Sequence, residues 1–100
     1  MSYEFLVKSE LIEWRGPAPY YFVRIDQQIS EYIKSDAKFV SYGWGVVPIY
    51  GKVGQNQFTT SLIPREGIYL IPIKDAVRKA ESLELGELVE VSFNLGKQPN

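Results

Sequence analysis

The chain has no cysteine and no histidine, and these two absences exclude much chemistry. Disulfides are excluded, and so are zinc, copper and haem bound through thiolate or imidazole ligands. A thiol nucleophile and an imidazole base are excluded for the same reason. Oxygen-ligated calcium or magnesium stays open in principle, although the regular Asp and Asn spacing of a calcium-binding loop is missing. We therefore predict no metal site and no cofactor.

The sequence also has no excess of either charge and no long apolar run. Its 11 basic and 12 acidic residues give a formal net charge of −1. Proteins that bind nucleic acid usually show a basic excess or a basic stripe, so this composition disfavours nucleic acid as a partner. No segment has the apolar length of a signal-peptide core or of a membrane span. We expect a soluble cytoplasmic protein without a membrane partner.

What is present is enough to build one small domain. The 100 residues are 45% hydrophobic and 14% aromatic, so a core can form without covalent cross-links. Large half-polar side chains, such as the seven tyrosines, suit a small barrel whose rim meets water. We predict a single domain over residues 1–95 and a frayed tail over residues 96–100.

Alternation of apolar and polar residues predicts six strands. They are Tyr3–Glu13, Tyr20–Ile25, Val46–Val53, Phe58–Ile63, Ile68–Ile73 and Leu88–Leu95. In the third strand, Pro48 predicts an edge, a bulge or a late start, and Gly51 predicts a bulge or a sharp bend. Between the second and third strands, an apolar stretch ending near Gly45 is expected to pack down as a lid or to carry a short strand.

Two short helices are predicted after the second and fifth strands. The first runs from Gln27 to about Ser35 with Asp26 as its N-cap, and the second from Lys74 to about Leu83. Gly86 ends the second segment, because glycine adopts positive φ without strain. The apolar faces should be Ile29, Tyr32 and Ile33 in the first helix, and Val77, Ala80 and Leu83 in the second.

An internal repeat links these two regions. Residues 21–29 align with residues 69–77 at an offset of 48, with Tyr21 matching Tyr69 and Ile25 matching Ile73. A chance match between two strand–helix junctions is the alternative. The repeat is favoured because both copies place an apolar helix residue at the same distance from the strand. Two such units in one chain predict a barrel with pseudo-two-fold symmetry.

The ordered combination of several segments resembles the DUF1905 family, whose members carry a domain of unknown function. The resemblance covers nearly the whole chain and is carried by Trp14, the Tyr20–Ile25 strand and its helix, the Gly51–Gly54 turn region, Phe58–Pro64, Gly67–Leu70, Val77–Ala80 and Gly86–Val91. Glu87 stands where the family often has Asp.

The resemblance implies a double-split β-barrel, related in shape to transcription factors of the AbrB and MazE type. In those factors two chains build the barrel, whereas here one chain would supply both halves. The family has no established activity, so the resemblance says more about fold than about function. The complete fold prediction is a mainly β protein, a small double-split barrel of about six strands with two short helices and a pseudo-two-fold repeat.

One pair of basic residues is a candidate binding site. Lys74 and Arg78 lie four residues apart on the second helix, a spacing that disfavours the helix by about 0.2–0.5 kcal/mol. A bound anion would relieve this repulsion, and arginine binds carboxylate or phosphate through two hydrogen bonds. The alternative is a solvated helix face neutralised by Asp75, Glu81 or Glu87, which is the commoner case.

Hydroxyl and aromatic side chains complete the candidate site. Thr60 and Ser61 would donate hydrogen bonds to an anion, and Trp44 would offer a stacking face. The commoner alternative for the hydroxyl residues is an ordinary strand. Four aromatic residues could line a pocket, although filling of a small barrel is commoner; they are Trp14, Tyr42, Trp44 and Tyr50.

These observations favour a small binding module for an anionic small molecule or a protein partner, and they do not favour an enzyme. Nucleic-acid binding, by kinship with AbrB-like factors, is one alternative. A hydrolase using Ser61 is another, although the chain has no histidine to activate that hydroxyl. Prolines near the strand edges favour a monomer or a weak dimer.

Overall fold

The computed structural model describes residues 3–14, 20–36 and 45–97. These residues form six strands and two helices. In chain order they are β1 Phe5–Trp14, β2 Tyr20–Arg24, α1 Gln27–Asp36, β3 Val47–Val53, β4 Asn56–Arg65, β5 Ile68–Pro72, α2 Asp75–Ala80 and β6 Leu88–Leu95. The apolar stretch predicted to form a lid lies, from residue 37 to residue 44, outside the described residues.

The six strands close into a barrel in the order β1-β2-β5-β4-β3-β6. Every neighbouring pair is antiparallel, including β1 with β6, which closes the ring. Closure leaves no unpaired strand edge in the ring. The prediction of a mainly β barrel of about six strands with two short helices is confirmed.

The internal repeat is visible in the strand order. Exchanging β1 with β4, β2 with β5 and β3 with β6 leaves every neighbour relation unchanged. The strands β2 and β5 are related by the predicted offset of 48 and pair with each other, Val23 opposite Ile71. Two equivalent hydrogen bonds flank this pair: Ile25 N donates to Tyr69 O at 2.9 Å, and Ile73 N donates to Tyr21 O at 2.8 Å. One chain therefore supplies both halves of a pseudo-symmetric barrel.

Inward-facing apolar side chains from all six strands fill the barrel. The sequence predicts that burial of seven apolar residues dominates stability, and six of them belong to this core: Phe5, Val23, Ile25, Val89, Val91 and Phe93. The rings of Phe5 and Phe93 stack with their centroids 5.1 Å apart. Leu70, the seventh residue, is buried but lies outside the core cluster. Each fully buried side chain contributes roughly 1.5–3 kcal/mol to folding.

Gly51 forms no bulge, so the prediction of a bulge there is wrong. It pairs regularly with Phe58 on one side and Phe93 on the other. A Cβ atom at this position would collide with the carbonyl oxygen of Ser92 and would lie 2.8 Å from Cβ of Phe93. Glycine is needed because β3 and β6 approach closely.

The helices depart from their predicted faces in two places. Tyr32 is 52% exposed and touches the core only through an edge-on contact with Phe5, so Ser30 rather than Tyr32 completes the buried face of α1 beside Ile33. The helix α2 ends at Ala80, which is exposed, instead of continuing to Leu83. Ser82 adopts a positive φ of 53°, which is incompatible with a continuing α-helix.

Candidate functional site

A cleft of about 480 Å³ opens where the start of α2 meets strands β3 and β4. We name it the Lys74 cleft. Its lining combines apolar, hydroxyl and basic side chains, and consists of Pro48, Ile49, Thr59, Thr60, Ser61, Lys74, Gly96 and Lys97. Three of the predicted site residues, Thr60, Ser61 and Lys74, therefore lie around one hollow.

Regular secondary structure positions these three side chains. Thr60 and Ser61 lie in β4, where they pair with Ile49 and Pro48 of β3. Lys74 is the N-cap of α2, with an extended backbone at φ −70° and ψ 153°. An adjoining hollow of about 350 Å³ shares Thr60 and Lys74 with the cleft. These two residues thus lie between two neighbouring hollows, where either can supply polar contacts.

The charge in the Lys74 cleft is positive. Lys74 and Lys97 both expose their side chains, and in the described part of the chain neither forms an ion pair. The side chain of Lys74, the N-cap residue, makes no capping hydrogen bond to the first backbone amides of α2. The helix has only six residues, and the carboxylate of Asp75 lies in its first turn, so its dipole adds little attraction for an anion. The lysine ammonium groups are the main source of attraction.

Arg78 does not line the cleft. Its guanidinium lies over the ring of Tyr21, with Cζ 4.3 Å from the ring centroid. Its Nη2 is 3.5 Å from Oδ1 of Asp75, so an acidic neighbour partly neutralises it. Its Nε atom is buried and has no hydrogen-bond partner among the described residues. Tyr21 lines the adjoining hollow, so the contact of Arg78 with that hollow runs through the side chain of Tyr21.

The four aromatic candidates do not form one described cluster. Trp44 and Tyr42 lie outside the described residues. Trp14 is 47% exposed, so the interpretation of this residue as core filling is wrong. It is the last residue of β1, and its ring contacts Phe22 and the guanidinium of Arg65 instead of the barrel interior. Tyr50 is half-buried, and its hydroxyl accepts a hydrogen bond from Asn94 Nδ2 at 3.4 Å.

Sequence reasoning missed Lys97 as a lining residue. The backbone amide of Gly96 donates to the carbonyl of Pro48 at 2.7 Å, which holds the end of β6 beside the start of β3. The two partners are separated by about half of the chain, and no local pattern signals such a contact. Ile49 pairs with Leu95, and this pairing brings the next residues, 96 and 97, to the border of the cleft.

Away from the Lys74 cleft, burial raises the pKa of the Tyr69 phenol. Among the described residues, no acidic side chains gather in a group able to hold a metal ion. The described helices are also too short and too polar to cross a membrane. The cleft therefore offers contacts for a ligand without an evident acid–base pair.

Comparison with known proteins identifies the family. The family model described as "Domain of unknown function (DUF1905)" matches residues 8–93, and the chain belongs to this family. The resemblance noted from the sequence is thereby confirmed. No curated protein and no solved structure matches the chain at a significant level. The family assignment establishes the kind of domain and leaves its ligand to be inferred from the residues.

Proposed function

We propose that this domain is a binding module for a small oxyanion, such as a phosphate or carboxylate compound, held in the Lys74 cleft. The observation that supports it most is the convergence of Lys74 and Lys97 with the hydroxyl residues Thr60 and Ser61 around one hollow. Ammonium groups attract an anion, and hydroxyl groups can donate hydrogen bonds to its oxygen atoms.

The size and composition of the cleft favour a small molecule. At about 480 Å³ it lies within the range of ligand pockets, roughly 300–1,000 Å³. Pro48 supplies an apolar wall beside the polar groups, as small-molecule sites commonly do. A protein partner remains the second form of this proposal, because an exposed cleft could also accept an acidic side chain.

Arg78 contributes less than Lys74 in this proposal. Its charge is shared with Asp75, and its guanidinium is held against Tyr21. It would act mainly by fixing Tyr21 at the edge of the adjoining hollow. Trp44 would stack on a ligand with a flat face.

Neither alternative function gains support from the described residues. The hydroxyl of Ser61 makes no hydrogen bond to a basic side chain there, so no arrangement for a nucleophilic attack is evident. The net charge of −1 provides no general attraction for nucleic acid. We propose accordingly a non-enzymatic domain that acts as a monomer or a weak dimer.

A thermal-shift screen with phosphate, carboxylate, nucleotide and sugar-phosphate compounds tests the proposal. A compound at ten times its Kd stabilises the folded state by about 1.4 kcal/mol, which raises the Tm of a domain of this size by roughly 6–11 °C. Lys74→Gln should abolish most of this rise, because it removes the ammonium group and keeps the side-chain length. Arg78→Ala should reduce the rise by a smaller amount.

Lys79→Gln is the matched control. Lys79 lies on the same helix, is exposed, and does not line the cleft. An unchanged rise in this variant would show that the cleft, and not the overall charge, binds the compound. A screen without any stabilising oxyanion, or equal losses in Lys74→Gln and Lys79→Gln, would contradict the proposal.

A further inference from the structure

A third hollow lies between the two hairpins of the barrel, β1–β2 and β4–β5. We name it the inter-hairpin groove, and its volume is about 270 Å³. Residues from both hairpins line it, chiefly Ile12, Trp14, Phe22, Arg24, Arg65 and Leu70. Among the residues that the structure describes, it shares none with the Lys74 cleft or the adjoining hollow.

The floor of the groove is apolar and related by the internal repeat. Phe22 and Leu70 are separated by the offset of 48 and are 2% and 5% exposed. Both lie outside the core cluster, so they form a small apolar layer on the outer face of the barrel. Above this buried layer, the apolar surface still open to a ligand belongs to Ile12, Trp14 and Ile68. A ligand with an apolar, flat part would bury that surface.

One contact spans the groove. The guanidinium of Arg65 lies over the indole ring of Trp14, with Cζ 4.1 Å from the ring centroid. The two residues occupy equivalent positions, since Trp14 pairs with Tyr20, Arg65 pairs with Ile68, and these partners are 48 residues apart. Trp14 is about half exposed, and a cation–π contact at an exposed site is weak enough to rearrange around a ligand.

The two guanidinium groups of the groove are available for an anion. Arg65 forms no ion pair in the described part of the chain. Arg24 approaches Glu10 only at 4.0 Å, and both side chains are about half exposed, so this pair is weak. Two acidic residues also line the groove: Glu13 is already engaged in an interaction, and Glu66 is exposed in the turn after β4.

We propose that the inter-hairpin groove binds a small aromatic carboxylate. The ring would lie against the indole of Trp14 and the partly exposed side chains of Ile12 and Ile68, and the carboxylate would accept hydrogen bonds from Arg65 and Arg24. Arginine forms two parallel hydrogen bonds with a carboxylate, which makes it the suitable basic residue at this position. The volume is near the lower limit for ligand pockets and suits one ring or two fused rings.

An NMR titration of the full chain with 2-naphthoate tests this site. The indole N–H resonance of Trp14 is assigned by its loss in Trp14→Phe, since the chain has two tryptophans. We expect a saturable shift of this resonance. Arg65→Gln should raise the Kd by about tenfold, because a charge-assisted pair is lost. Lys74→Gln should leave the Kd unchanged, which separates this site from the Lys74 cleft.

Neutral 2-naphthamide is the matched control ligand, because it keeps the ring system and lacks the charge. It should bind about tenfold more weakly than 2-naphthoate. Equal binding of the amide would contradict recognition of a carboxylate. No saturable shift up to about 10 mM 2-naphthoate would contradict the site itself. A shift lost in Lys74→Gln and kept in Arg65→Gln would assign the binding to the other cleft.

Discussion

The two halves of this barrel share a backbone and differ in what their side chains do. At the junction of β2 and α1, Ser30 is completely buried, donates to the carbonyl of Ile25 and accepts from the amide of Tyr69. The equivalent position after β5 is Arg78, 48 residues later, which lies over Tyr21 and reaches Asp75. The position after β2 thus carries a buried neutral hydroxyl, whereas the equivalent position after β5 carries a guanidinium group.

The helix N-termini differ in the same way. Asp26 caps α1 by accepting a hydrogen bond from the amide of Ile29 at 2.8 Å, whereas Lys74 at the equivalent position gives α2 no side-chain cap. The helix α1 has ten residues and α2 has six. The first half therefore has the longer helix and the one with a side-chain cap. The helix of the second half lacks this stabilisation at the place where the Lys74 cleft opens, which fits the proposed binding site.

The largest effect on the free energy of unfolding should come from placing each of the equivalent residues Ser30 and Arg78 at the other's position, in two separate variants. Ser30→Arg puts a charged side chain into a position without solvent or an acidic partner, and should lower the free energy of unfolding by more than about 4 kcal/mol or prevent folding. Arg78→Ser should cost about 1 kcal/mol, mainly the contact with Tyr21. Urea denaturation of both variants measures the difference. Similar losses would show that the two halves are not specialised.

Alanine substitutions at a second equivalent pair, Ile33 and Glu81, should lower the free energy of unfolding by different amounts. Ile33 is completely buried, so Ile33→Ala should cost about 3 kcal/mol. Glu81 accepts hydrogen bonds from the Gln55 amide and the Asn56 side chain, so Glu81→Ala should cost only about 1 kcal/mol. The midpoints of urea denaturation compare the two. A greater loss in Glu81→Ala would mean that this turn contact matters more than the core.

Tyr69, which is buried at the equivalent position to Tyr21, should make the stability depend on high pH. Burial raises the pKa of the Tyr69 phenol, so above about pH 10 an unfolded chain releases this proton while the folded chain keeps it. The unfolded state then binds fewer protons, and the free energy of unfolding falls as pH rises. Tyr69→Phe should reduce this decline. An identical decline in wild type and Tyr69→Phe would contradict the assignment.

Local patterns predicted most of the fold. Alternation located all six strands, Asp26 marked the start of α1, and the match of residues 21–29 with 69–77 predicted the two-fold relation of the barrel. These features could be predicted from the sequence because they depend on neighbouring residues or on an internal sequence repeat.

The parts that sequence reasoning missed depend on contacts between distant residues. The place of Lys97 beside the cleft requires the end of β6 to meet the start of β3. Trp14 is exposed because its side chain lines the inter-hairpin groove instead of the barrel interior. Arg78 lies on a tyrosine 57 positions earlier in the chain, so its four-residue spacing from Lys74 did not reveal its partner. Local periodicity contains no information about such partners.

The substitution Lys74→Asp, which gives α2 the residue that caps α1, tests most directly whether position 74 exchanges helix capping for anion binding. The extended backbone at position 74 suits an N-cap, so without ligand the free energy of unfolding should rise by about 1 kcal/mol. The stabilising effect of the oxyanion found in the screen should disappear in the same protein. One thermal denaturation series, with and without that anion, measures both changes. A variant that is less stable without ligand, or one that the anion still stabilises as it does wild type, would contradict the account.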